Sequence, residues 1–392
     1  MRETVIVSIA RTPIGAFQGT LSSVSATKLG AIVIKAAVER ANINPNIVDE
    51  VIMGNVLPAG EGQAPARQAS IYAGLPNSVE CMTINKVCGS GLKAIILADQ
   101  AIRCGDAEVI IAGGMENMSQ VPYYMPNARD GYRMGHKKVV DGLVHDGLWD
   151  VYNNVHMGNC AEICAKEDGY SREEQDTYAE QSYKRSQWSQ TEGLFADEIV
   201  PVEVPQRRGD AIIVDRDEEP TKVKFEKIPK LRPAFDKEGT VTAANASSIN
   251  DGAAAVVLMS KDKAEELGLT PLAKIVAHSS AAHAPEWFTT APAKAMNKTL
   301  TKANLSIDDI DLFEINEAFS VVVLAAMREF DLDKEIVNVN GGAVSLGHPI
   351  GASGTRIMVT LLNAMNQKGA KRGMASICIG GGEASAIIVE KV

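Results

Sequence analysis

No stretch of the 392-residue chain reaches the roughly 18 to 20 apolar residues that a membrane-spanning helix requires; the longest candidates are Ala253 to Met259 and Val321 to Met327. Val5 to Ala10, followed by Arg11, is too short for the core of an export signal and reads as a buried strand. Cysteine is sparse. Six residues cannot staple a chain of this length, so free thiols and a cytoplasmic setting are expected. Positive charge is in deficit, 39 Lys and Arg against 49 Asp and Glu, a net of −10, which argues against nucleic acid or an anionic membrane as the main partner. The glycine-rich stretches lack the strand, G-x-G-x-x-G and acidic-residue order of a dinucleotide site, and no Walker sequence occurs, so neither a nicotinamide cofactor nor ATP is indicated. Cys160 and Cys164 share a helix face without a second ligand pair, which reads as packing with no metal. Cys81 and Cys104 read as structural.

With 45% hydrophobic and 22% charged residues the chain can bury a sizeable core, and its length suggests two to three domains at about 150 residues each. An internal repeat sharpens that number. Arg40 to Asn55 (RANINPNIVDEVIMGN) matches Lys302 to Glu317 (KANLSIDDIDLFEINE), and Cys88-Gly-Ser-Gly with its apolar sequel matches Gly351-Ala-Ser-Gly with its own, both at offsets of about 262 to 263 positions. Val109 to Gly114 then matches Ser376 to Gly382. Each half therefore repeats a helix, a strand, a Gly/Ser turn, a buried helix and an apolar strand, an α/β layer pattern. The helices LKAIILADQAI and TRIMVTLLNAM, apolar over most of their circumference, are expected between sheets.

Ser119 to Ser247 breaks the pattern and reads as an inserted loop domain with one clear surface helix, opened by the capping box Ser171 to Glu174 and ended by Gly193. Insertions of this size usually carry binding or oligomer contacts. Lys222 to Arg232 holds five basic residues against one acidic, a local excess able to hold an anion.

Cys88, in TINKVCGSGLKA, falls between a strand and a helix N-terminus, where backbone N–H groups and the helix dipole are expected to lower a thiol pKa. His348, in an insertion the first half lacks, sits beside the twin helix start, where an imidazole could take the thiol proton and then donate to an oxyanion. Cys378 precedes Gly380, Gly381 and Gly382, an arrangement that exposes thiol and backbone N–H together, though alone it would more often be a core cysteine. Asn316, in INEAF, is ambiguous alone and would usually be a cap.

Together Cys88-Gly-Ser-Gly, Gly113-Gly-Met-Glu-Asn-Met-Ser119, Asn316-Glu-Ala-Phe319, Asn338-Val-Asn-Gly-Gly-Ala343, Gly347-His-Pro-Ile-Gly-Ala-Ser-Gly354 and Cys378-Ile-Gly-Gly-Gly382 resemble the thiolase family, from Thr4 to the C-terminus. The resemblance implies an α/β thiolase-like fold: two βαβαβαββ halves (1–118 with 248–270, and 271–392) in an αβαβα arrangement, with a loop domain at 119–247. His156-Met157-Gly158 and Ala244-Asn-Ala-Ser247 are similar to the biosynthetic branch, the acetyl-CoA acetyltransferases. That branch implies Claisen condensation of two acetyl-CoA to acetoacetyl-CoA and CoA. Cys88 would be acetylated with His348 as proton acceptor, and Cys378 would remove the α-proton of the second acetyl-CoA. His348 and a water on Asn316 would meet the enolate, and the N–H groups of Cys88 and Gly380 the tetrahedral intermediate. Carried over by position, His156 and Ser247 would contact pantetheine, with Leu148, Met157, Phe288 and Ala318 lining its tunnel, while Lys222 and Lys224 are candidates for the nucleotide phosphates. Coenzyme A is then substrate and product, with no other cofactor. The family further implies a homotetramer with contacts from Val121 to Trp149. Glu383-Ala-Ser where Met-Gly is common, Thr290-Ala-Pro where Gly-Gly-Pro or similar is usual, and Phe288 where Met is common depart from the family and bear on chain-length preference. A degradative 3-ketoacyl-CoA thiolase with longer substrates is the alternative. Asn316 and Cys378 argue against ketoacyl and hydroxymethylglutaryl-CoA synthases, and the intact set of reactive residues against a non-catalytic scaffold.

Overall fold

The repeat found in the sequence becomes a symmetry of strand order. In the computed structural model, which describes residues 2–392, the first half contributes Thr4–Arg11 (β1), Glu50–Gly54 (β2), Glu80–Ile84 (β3), Val109–Asn117 (β4) and Asn250–Ser260 (β5). The second contributes Ala273–Ala282 (β6), Leu312–Ile315 (β7), Arg372–Ile379 (β8) and Glu383–Glu390 (β9). The order is β7-β8-β9-β6-β1-β5-β4-β2-β3, with Gly15–Ala16 added on β5. Outward from the middle, β1, β5 and β4 pair antiparallel, then β4, β2 and β3 parallel. The other side repeats this: β6, β9 and β8 antiparallel, then β8 and β7 parallel. An isolated parallel bridge from Phe313 to Val337 stands where the fifth strand would be. Among the described strands, only the pairs Val5↔Lys274 and Ile6↔Ala273 link the two strand sets, so the continuous sheet divides there into two layers.

Side-chain alternation along the strands divides the core into layers. Ile111 of β4 faces outward to Val33 and Ile34 of the helix Ala26–Ala41 (α1). Its neighbour Ile110 faces inward, to a cluster with Ile95 of Ser90–Cys104 (α2), Ile357 of Ile350–Lys368 and Ile377 of β8. On the far side, Met296 of Ala291–Ala303 and Val323 of Ser320–Phe330 cover Phe313 and Ile388. The layers are thus αβαβα, as the resemblance implied. Every residue from Ile350 to Met365 is buried, which is why this helix has almost no polar face: strands cover it from both sides.

The two central helices cross backbone to backbone at a repeat-related pair of glycines. A Cβ on Gly91 would lie 2.7 Å from the Thr355 nitrogen, and one on Gly354 2.3 Å from the Leu92 nitrogen. That contact brings the two helix starts together, and with them Cys88 and His348. Gly354→Val is expected to cost roughly 1–3 kcal/mol or more by overpacking, read as a fall in thermal midpoint, and to reduce activity beyond the loss of folded protein.

Between β4 and β5 the strands form only two-stranded ribbons, beside helices Met157–Glu167 (α3) and Arg172–Thr191 (α4). The Ser171–Glu174 capping box is present, and Gly193 follows α4 with φ +71°. Two features differ from the sequence reading. A second helix, α3, accompanies α4, its apolar side (Cys160, Ala161, Cys164) buried against Phe319 and Val322. And α4 is not a surface helix: Tyr178 and Ser182 each donate to the buried Glu317 at 2.7 Å. These polar contacts to the second half replace the apolar stripe that periodicity looks for. Among the described residues no helix is long and apolar enough to cross a membrane, and no cluster of His, Cys, Asp and Glu could hold a metal.

Candidate active site

Cys88 sits in a tight loop between β3 and α2. Val87 before it has φ +45°, a conformation costly for a β-branched residue. Asn85 Oδ1 accepts from Val87 N at 2.9 Å, while Ser90 Oγ accepts from Lys86 N at 2.8 Å and donates to Val87 O at 2.7 Å. This strained, stapled turn aims the Cys88 thiol into a cavity of about 500 Å³. The expectation of a lowered pKa is corrected: burial pushes the thiol up to about 11, while N–H groups of Gly380 and of Cys88 itself pull it down, and Glu116 adds to the rise. Desolvation outweighs the helix dipole here.

His348 reaches the same cavity. Its backbone N–H donates to Asn250 Oδ1 at 2.9 Å, and its Nδ1 lies 2.6 Å from Ser353 Oγ. Ser353 Oγ spends its proton on Pro349 O at 2.9 Å; it can therefore only accept from the ring, placing the ring proton on Nδ1. Nε2 is buried with no partner among the described residues and presents a lone pair. Burial first, then the Arg356 charge, lower the imidazole to about 3. Sequence reading quoted Ser353 in a motif without giving it this tautomer-fixing role; its spacing of five from His348, one helical turn beyond Pro349, was the available signal.

Cys378 and Asn316 lie behind the cavity wall, 1% and 0% exposed. Cys378 ends β8 beside Ala318 and Phe319, and burial with the neighbouring Cys88 raises its thiol well above the ordinary range. The turn Gly380–Gly382 joins β8 to β9, and the Gly380 N–H points at the Cys88 sulfur. Asn316 follows β7; its backbone N–H donates to Ser376 O at 2.9 Å, yet neither amide atom of its side chain has a partner among the described residues. It caps no helix, since Phe319 holds that position without a side-chain bond. A buried, unpartnered amide, its backbone tied two residues from Cys378 on β8, is a site for a bound polar group.

The cavity brings together Leu148, His156, Met157, Ser247, Phe288 and Ala318 with Cys88, His348 and Gly380. Their order follows an aromatic train: His156 stacks on Phe235 at 4.8 Å, and Phe319 meets Phe235 and Phe288 edge-on, each at 6.1 Å. Phe235 was missed by the sequence reading. Lys222 is at the cavity mouth, paired with Glu218 at 2.7 Å. Lys224 is not in this cavity; it lines an adjacent depression with Lys222 and Lys227. Glu383 forms an ion pair with Lys86, at the edge of the Cys88 loop. Cys104 is exposed, against its reading as a packed cysteine, because it ends α2 facing solvent. Cys160 and Cys164 are buried and Cys81 half-buried.

Residues 4–262 match the thiolase N-terminal domain and residues 269–391 the thiolase C-terminal domain. The chain is 55% identical over 392 residues to an acetyl-CoA acetyltransferase of Cupriavidus necator, covering all of both chains. It is 56% identical to a mitochondrial acetyl-CoA acetyltransferase of Danio rerio, covering 100% of this chain and 92% of that one. Among solved structures, the Acat5 thiolase of Ascaris suum in complex with coenzyme A superimposes with a TM-score of 0.95 at 46% identity, covering 100% of both chains.

Proposed function

The chain belongs to the thiolase family, and on that premise we propose that it is an acetyl-CoA C-acetyltransferase, an acyltransferase that condenses two acetyl-CoA to acetoacetyl-CoA and CoA, reversibly. The observation that carries this reading is the convergence of Cys88, His348 and Gly380 on one mostly apolar cavity that Met157 and Phe288 also line. Two relatives above 50% identity bear the corresponding name.

In the first half-reaction the Cys88 thiol attacks the thioester carbonyl as His348 Nε2 takes its proton. Thiol and imidazole rest neutral, so the charged pair exists only while the nucleophile acts. The N–H groups of Cys88 and Gly380 face the oxyanion, a contribution of about 10²–10³ in rate per donor in comparable sites. His348 then protonates the departing CoA, leaving acetyl-Cys88. In the second half-reaction Cys378 takes the α-proton of another acetyl-CoA, and the carbanion attacks acetyl-Cys88. Protons balance when His348, free again, holds the Cys378 proton during this step and returns it to Cys88 as acetoacetyl-CoA leaves. His348 and a water held by Asn316 face the enolate oxygen. His156 and Ser247 contact pantetheine, and Lys222 and Lys224 the nucleotide end.

The test is condensation of acetyl-CoA and thiolysis of acetoacetyl-CoA beside longer 3-ketoacyl-CoA substrates. A kcat/KM that rises with chain length would overturn the assignment. Phe288 is 2% exposed and lines the cavity; Phe288→Ala is expected to raise kcat/KM for six-carbon over four-carbon 3-ketoacyl-CoA about tenfold, since a methylene in an apolar pocket is worth roughly 1–3 kcal/mol.

The reading extends to a cytoplasmic homotetramer, with the loop domain at 119–247 between halves at 1–118 with 248–270 and at 271–392. Tyr123, Met125, Met134 and Val139 stand exposed on the Val121 to Trp149 segment, apolar surface suited to subunit contact. Light scattering that returns a monomer would refute the tetramer. Six free thiols suit the cytoplasm, although the name of the Danio rerio relative places that protein in mitochondria.

A further inference from the structure

Glu116, at the end of β4, is fully buried, and among the described residues no ion pair reaches it. Four donors converge on its carboxylate. Oε1 accepts from Asn55 Nδ2 at 3.0 Å and Leu57 N at 3.1 Å; Oε2 accepts from Val56 N at 3.0 Å and Gly351 N at 2.8 Å. The last of these is the significant one. The helix Ile350–Lys368 begins at Pro349, which offers no side-chain cap. Its second N–H is instead capped from 235 residues away in sequence, by a group whose negative charge also suits the dipole at that helix end. Gly351 is fitted to the contact: a Cβ there would lie 2.5 Å from Glu116 Oε2.

The elements held by this one carboxylate are those that frame the reaction. Pro349 at the helix start is preceded by His348, and Ser353 in the first turn fixes its tautomer. Val56 and Leu57 pack with Ile350 in the cluster that borders Cys88. The geometry points to Glu116 as a positioning residue that clamps the His348-bearing helix start to the floor of the cavity and so sets the imidazole against the Cys88 thiol. This rests on the roles proposed for Cys88 and His348. Glu116 itself is not among the residues lining the cavity.

The clamp carries a titratable signature. Burial without a cation pushes Glu116 up to about 8, against the N–H groups that pull it down, and Glu61 adds to the rise. Glu61 approaches Asn55 Nδ2 at 3.4 Å from the loop after β2, and burial pushes it to about 7. Cys88 is the other titratable group coupled to Glu116. Thiol and imidazole, near 11 and 3, stay neutral across pH 5 to 9. Protonating Glu116 removes an acceptor from four converging donors and removes negative charge that favours the imidazolium of the attack. The rate of Cys88 acetylation therefore rises with pH as Glu116 ionises.

The experiment is single-turnover acetylation of Cys88 by acetyl-CoA, followed by intact mass from pH 5 to 9, in wild type, Glu116→Gln and Glu61→Gln. Glu116→Gln turns an amide NH₂ toward two N–H donors; it is expected to lower the acetylation rate by about 10- to 100-fold, the scale of an ångström of misplacement, to leave KM for acetyl-CoA within about twofold, and to abolish the inflection near pH 8. Wild-type rate or a retained inflection in Glu116→Gln overturns the inference. Glu61→Gln is expected to move the inflection to lower pH while keeping the high-pH rate; an unmoved inflection overturns it even if Glu116→Gln fails to fold. Absence of acetyl-Cys88 in wild type would instead overturn the functional reading beneath it.

Discussion

Cys88→Ala is expected to carry no acetyl group after incubation with acetyl-CoA and to lose condensation and thiolysis alike, by on the order of 10⁴-fold or more, as removal of a covalent nucleophile does elsewhere. A methyl group cannot hold the acyl chain, and the remaining oxyanion donors then serve no intermediate. The loss is chemical and not structural, because Cys88, half-buried as a residue though its sulfur is desolvated among the surrounding atoms, takes no large side chain from the core when removed; the thermal midpoint should move little. Cys104→Ser is the companion control, exposed at the end of α2 and expected to keep full activity. Intact-protein mass distinguishes the outcomes: an acetyl adduct that survives in Cys88→Ala removes Cys88 from the mechanism. With Cys88 near 11 and His348 near 3, nucleophile and base share one proton over the whole working range. Activation therefore belongs to the moment of attack, and alkylation of the resting thiol should be slow at neutral pH.

The reach of sequence reading is visible residue by residue. The layers were legible because each half repeats its apolar strands, and because the helix from Ile350 to Met365, buried throughout, has to lie between two sheets. The crossing glycines Gly91 and Gly354 stand at equivalent repeat positions, so the meeting of the two helix starts was implicit as well. What the sequence could not display was the balance of opposing terms. Helix-end geometry predicts a depressed Cys88 pKa, but desolvation of the sulfur, with the Glu116 charge adding to it, outweighs the N–H groups of Gly380 and Cys88 and decides the sign. Nor could periodicity disclose α4 as a half-buried helix, since Tyr178 and Ser182 face the second half through hydroxyl groups bound to Glu317. Glu116 escaped for a related reason: three of its four partners are backbone N–H groups, which carry no signature in side-chain identity.

Cys378→Ala separates the two half-reactions. Acetylation of Cys88 should persist within a few-fold, because its parts (thiol, His348 Nε2, and the N–H groups of Cys88 and Gly380) all remain in place. Condensation should fall by about 10²–10⁴, the usual span for loss of a positioned general base. The structure explains why a thiol serves there. Cys378 is 1% exposed among Ala318, Phe319 and Phe288, a setting that raises its pKa and makes the thiolate, once formed, a strong base toward a weakly acidic carbon. Alanine leaves a small void costing about 1 kcal/mol, so the variant should fold. The decisive measurement is exchange of acetyl groups between acetyl-CoA and labelled CoA, which needs only acylation and its reversal, set beside acetoacetyl-CoA formation. Retained exchange with lost condensation assigns Cys378 to the α-proton. Equal loss of both would mean that Cys378 also acts on the first thioester, and the order of proton transfers through His348 would have to be rewritten.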